Sequence, residues 1–151
     1  MTSPGHLARA DLFKLGLDHA WAWFALHADH RLRMVNFFLL ASAFLVTAYV
    51  SSLDRTPLLA VIAASTGVVI TIAFARLETR TRELVKRGER ALEALERLLA
   101  TDLAVPELEL VRRAERAPAL TSYAKVLGLI HYSALVAFML GVGVALVRAG
   151  L

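Results

Sequence analysis

Arg31–Leu53 reads RLRMVNFFLLASAFLVTAYVSSL, and after Arg33 no charged side chain occurs until Asp54. The uncharged run Met34–Leu53 has 20 residues, about the number a helix needs to cross the ~30 Å hydrocarbon core of a bilayer. Two arginines mark its start. Tyr49 lies near its end, where an aromatic ring with a polar tip suits the headgroup level. We read the run as the first transmembrane helix, and it orients the remainder of the chain.

A second uncharged run, Pro57–Ala75, has 19 residues and ends at Arg76. Thr56 is suited to cap its start, and Pro57 fits the first helical position, where no N–H is needed. The loop between the two runs is short, so they form an antiparallel hairpin. A third span is expected over 121–151, capped by Thr121 or Ser122 after a turn forced by Pro118. Its uncharged part, Val126–Val147, has 22 residues.

Composition agrees. The chain is 58% hydrophobic and 20% charged, whereas soluble domains average about 45–50% and about 25%. The excess sits in blocks rather than at helical or strand period, which marks a membrane protein. No cleavable signal peptide is expected, because the first apolar run begins more than 30 residues in and no cleavage site follows a short apolar core. The absence of cysteine excludes disulfides and thiolate metal sites.

Charge sets the topology. With the N-terminus inside, all Lys and Arg except Arg55 and Arg148 fall on the cytoplasmic side, 15 of 17. The positive-inside rule then places the N-terminus in the cytoplasm and the C-terminus on the opposite side of the membrane. The basic residues alternate with acids, so no nucleic-acid partner is expected.

Outside the spans, 1–9 reads as a loose tail and Ala10–His30 as an amphipathic helix. Trp21 and Trp23 suit headgroup depth, and His27 and Arg31 would anchor the helix against headgroups or a neighbour. The helix either lies at the interface or packs on a neighbouring subunit. From Arg76 to Ala100 the second span continues as a charged cytoplasmic helix with an apolar stripe of Leu77, Leu84, Gly88, Leu92, Leu95 and Leu99. That stripe, with Arg76 and Arg80, is a candidate contact surface, and a partner helix is the expected cover. Thr101–Pro106 breaks the helix, and Pro106 opens a short one through Arg116. The expected fold is all-α: three transmembrane helices, an interfacial helix and a long cytoplasmic extension of the second span. The domains are 1–33, 34–75 (spans 34–53 and 57–75), 76–120 and 121–151.

Lipid supplies no hydrophobic drive between helices, so small residues mark close packing. Asn36, Ala43 and Thr47 share a face of the first span. Ala60, Ala64, Gly67, Thr71 and Ala75 do so in the second. Ser133, Ala137, Gly141, Ala145 and Ala149 repeat every four residues in the third. These faces would pack either a monomeric three-helix bundle or a homo-oligomer, to which a stripe on every span points. His131, inside the third span, is either a hydrogen-bonded core histidine or a pore-lining one.

No catalytic chemistry is legible. His27, Asp29 and His30 lack a further metal ligand in register, and Gly141-x-Gly143 follows no strand, so it is no phosphate loop. No cofactor and no enzymatic activity are expected.

The pattern Trp21-x-Trp23-Phe24-x-x-His27-Ala28-x-x-Arg31, then Asn36-Phe37-Phe38-Leu39, Ala48-Tyr49 and Arg76-Leu77-x-x-Arg80, resembles a motif of small bacterial inner-membrane proteins. Two groups share it: RipA-like oligomeric proteins and SLATT-like two-span effector modules of conflict systems. The resemblance covers roughly residues 20 to 85 and implies a homo-oligomer of short transmembrane hairpins with cytoplasmic helices. For the effector group it implies pore formation. This chain adds a third span and has no recognisable sensor domain. The expected function is a non-enzymatic, homo-oligomeric channel, pore or ring-shaped scaffold in the bilayer. The alternative is a membrane-anchored adaptor that binds a soluble cytoplasmic partner.

Overall fold

A computed structural model of the chain describes residues 4–115 and 123–151. All regular structure among them is helical: α1 (Pro4–Ser52), α2 (Pro57–Leu103), a 3-10 turn (Pro106–Leu108), α3 (Leu110–Glu115) and α4 (Tyr123–Ala149). Three of these helices, α1, α2 and α4, are long and apolar enough to cross a membrane. The turn expected at Pro118 and the caps at Thr121 and Ser122 lie outside the described residues.

Helix α1 begins at Pro4 and runs for 49 residues, so 4–9, expected as tail, are helical. Proline opens a helix without loss, since its missing N–H would be unsatisfied there. No break separates the amphipathic segment from the first span. The first hairpin turn is as short as expected. The Thr56 carbonyl accepts from the Leu59 and Ala60 amides at 2.9 and 3.4 Å, and Pro57 takes the first helical position.

Helix α2 ends on Ala104, a non-glycine residue at φ 55°. The Val105 amide donates to the Ala100 carbonyl (3.0 Å) and the Ala104 amide to Thr101 (3.4 Å), the paired bonds of a Schellman end. Helix α4 closes with the same pair of bonds around Gly150 at φ 75°. Glycine adopts that conformation freely, whereas Ala104 holds it at a cost of about 1–2 kcal/mol.

The chain divides into two compact units. A charged unit comprises Met1–Arg31 and Arg80–Ala119, and an apolar unit comprises Leu32–Thr79 and Leu120–Leu151. In the charged unit the first part of α1 packs against the last part of α2. Leu92 and Val85 are buried, and Gly16 faces the Leu95 side chain. The apolar stripe on α2 thus finds its cover within the same chain. In the apolar unit little of the hydrophobic surface is internal. Of the most apolar 18-residue windows of α1, α2 and α4, only 6%, 22% and 17% are buried. Leu39, Phe44, Leu59 and Leu140 all face outward. Soluble monomers rarely expose apolar patches of that extent; a bilayer covers them without penalty.

Candidate assembly interface

The apolar unit is held by three kinds of contact, each traceable to a residue type. The first is aromatic. Phe38 of α1, 1% exposed, meets Phe74 of α2 at 5.6 Å between ring centroids and stacks on His131 of α4 at 4.6 Å. His131 Nδ1 lies 2.8 Å from the Leu127 carbonyl; a carbonyl only accepts, so this nitrogen carries the hydrogen. His131 is therefore a core histidine of the chain's own bundle.

The second contact is close backbone approach. Ala60, Ala64 and Thr71 are at most 1% exposed, Gly67 lies under the ring of Phe138, and Ala145 is fully buried. The Thr71 hydroxyl donates to the Gly67 carbonyl at 2.7 Å, so burial leaves it satisfied. The third is a polar tie: Tyr49 OH donates to the Gly141 carbonyl at 3.1 Å. A Cβ at Gly141 would come within 3.4 Å of the Tyr49 ring and 3.6 Å of Ala64. Tyr49, assigned to the headgroup level from sequence, thus also ties α1 to α4.

The inward face of α1 is Phe38, Ser42, Leu45, Tyr49 and Ser52, spaced 4, 3, 4 and 3. Sequence reasoning passed over it as a packing face. Ser42 Oγ is buried and has no hydrogen-bond partner among the described residues. The face singled out from sequence, Asn36, Ala43 and Thr47, is exposed on the outside of the unit. Thr47 quiets its hydroxyl by donating to the Ala43 carbonyl at 2.9 Å. Ala137 and Ser133 on α4 are likewise exposed.

In the charged unit Trp23 Nε1 donates to the Leu84 carbonyl at 3.2 Å, and His27 sets its ring edge-on to Trp23 at 4.6 Å. Both tie α1 to α2. Trp21 stays exposed beside Phe24, and Arg31 is half-buried. Gly88 is the tightest crossing here. A Cβ there would lie 3.1 Å from Phe24 Cβ and 3.2 Å from its Cα. Leu84 and Leu95 are half-buried, and Arg76 (in the apolar unit) and Arg80 are exposed. Glu96 accepts the Val111 amide at 2.9 Å, capping α3 from α2, where a carboxylate also suits the helix dipole.

Among the described residues no group of three or more His, Asp or Glu is placed to hold a metal ion. Among the small and polar residues singled out from sequence, the apolar unit leaves open Asn36, Ala43 and Thr47 on α1 and Ser133 and Ala137 on α4. No family model matches the chain, and comparison with curated proteins and with solved structures identifies no relative.

Proposed function

We propose that the chain is a non-enzymatic, multi-pass protein of a bacterial inner membrane that assembles with copies of itself into a channel, pore or ring-shaped scaffold. The N-terminus and the charged unit lie in the cytoplasm, and the C-terminus lies in the periplasm. The observation that carries this reading is the outer α1 face. Asn36 is exposed there, with the small residues Ala43 and Thr47 two and three turns further on. An amide facing lipid lacks hydrogen-bond partners, and pairing across a helix interface or lining a wet lumen supplies them. The small-residue stripe of α2 plays no part in this, being spent inside the chain.

The second reading is a membrane-anchored adaptor that binds a soluble partner through the cytoplasmic helix over 76–116. Leu92 is buried and Gly88 lies against Phe24 in the same chain, so neither reading can use these stripe residues as a contact.

Detergent-solubilised protein is expected to run as a multimer and to conduct in planar bilayers. Asn36→Leu combined with Ala43→Phe, both outward-facing and so harmless to the monomer fold, should reduce the mass to that of one chain. A multimer untouched by the pair, or a wild-type monomer without conductance, overturns the reading.

A further inference from the structure

The charged unit contains a groove of about 620 Å³ between α1, α2 and α3, within the size range of small-molecule sites. Its walls are apolar and aromatic. Trp21 and Phe24, ring centroids 5.8 Å apart, line it together with buried Leu92 and with Leu110.

The charges around it are one-sided. Among the described residues, Asp18, Glu89 and Glu96 line the groove and no Lys or Arg does, in a chain whose basic residues outnumber its acids 17 to 13. Glu96 is partly used, since it accepts the Val111 amide. Asp18 and Glu89 have no ion-pair partner among the described residues.

An apolar groove with an indole face and unpaired carboxylates fits one ligand chemistry. A charged aromatic or branched body buries apolar area against Leu92 and Phe24. Its delocalised positive charge is attracted by the ring of Trp21 and by the two carboxylates. An anion of the same shape meets repulsion from both.

We propose that this groove is a binding site for lipophilic organic cations of drug size. It lies wholly within the charged unit, so its occupancy does not depend on how copies of the chain assemble.

The test uses the full chain in zwitterionic nanodiscs, titrated calorimetrically with tetraphenylphosphonium. Empty nanodiscs are the blank, because the cation also partitions into lipid. Tetraphenylborate, of matching size and opposite charge, is the comparison. Saturable one-site binding of the cation, at least tenfold tighter than that of the anion, is expected. Asp18→Asn with Glu89→Gln should weaken it about tenfold. Trp21→Ala removes an exposed side chain, leaves the fold intact and should weaken it too, which keeps the test decisive if the double variant fails to fold. Glu83→Gln, outside the groove, should change nothing. Binding no greater than to empty nanodiscs, equal affinity for the borate, or an affinity indifferent to Trp21→Ala overturns the proposal.

Discussion

Gly67→Ala is expected to destabilise the apolar unit by about 1–3 kcal/mol, despite a helix-propensity gain of about 1 kcal/mol from removing glycine. The added Cβ would fall on the ring of Phe138, 2.6 Å from its Cγ, where carbon atoms prefer about 3.5–4.0 Å. Phe138 is 7% exposed and the clash includes the base of its ring, so a rotation of the ring tip cannot relieve it. Helices α2 and α4 must separate, and the close packing around Ala60, Ala64 and Ala145 loosens with them. Unfolding in mixed micelles measures the effect. Phe138→Leu, harmful alone, should restore part of the stability when combined with Gly67→Ala, giving a coupling of about 1 kcal/mol or more. Strict additivity of the two would mean that the glycine and the ring do not meet.

The second large effect is expected at Gly88, where alanine and valine should differ sharply. Alanine needs Phe24 to yield by a few tenths of an ångström, and its propensity gain of about 1 kcal/mol offsets that shift. Valine adds two methyl groups against Phe24 Cα and Trp23 Cδ1, each already 3.2 Å from the position of a Cβ. It should cost about 2–3 kcal/mol and force α1 from α2. The bond from Trp23 Nε1 to the Leu84 carbonyl would go with it, leaving the indole, 40% exposed in the wild type, more fully in water. The measurements are the tryptophan emission maximum, red-shifted in Gly88→Val only, and thermal unfolding. A valine variant with wild-type emission would show that the helices do not cross there.

How far the fold was legible depends on contrast along each helix. The three spans and the first hairpin were visible because charge stops abruptly at Arg33, Asp54, Arg76 and Lys125. The α2 packing face was visible because Ala60, Ala64, Gly67 and Thr71 alternate steps of four and three, which keeps them on one side of a helix of 3.6 residues per turn. The α4 stripe misled because its step never alternates. A strict step of four rotates about 40° each time, so Ser133 and Ala149 stand about 160° apart. Gly141 and Ala145 turn inward, while Ser133 and Ala137 do not. In α1 the span is apolar all round and carries no contrast, so its inward face within the chain went unrecognised. Phe38, which fills the core, could not be told from Phe37, which is 63% exposed. The cover of the α2 stripe was also hidden. Leu84, Leu92 and Leu95 announce a partner helix, yet nothing in their spacing says that the partner is the first part of α1 in the same chain.

Three membrane crossings with the arginine-rich unit inside are tested most directly by thiol accessibility, since the chain has no cysteine of its own. In spheroplasts, a membrane-impermeant maleimide should label Arg55→Cys and Leu151→Cys at once. It should label Ala94→Cys only after permeabilisation. A Leu151→Cys chain protected until lysis, or one recovered in the supernatant without detergent, would contradict the three-span topology.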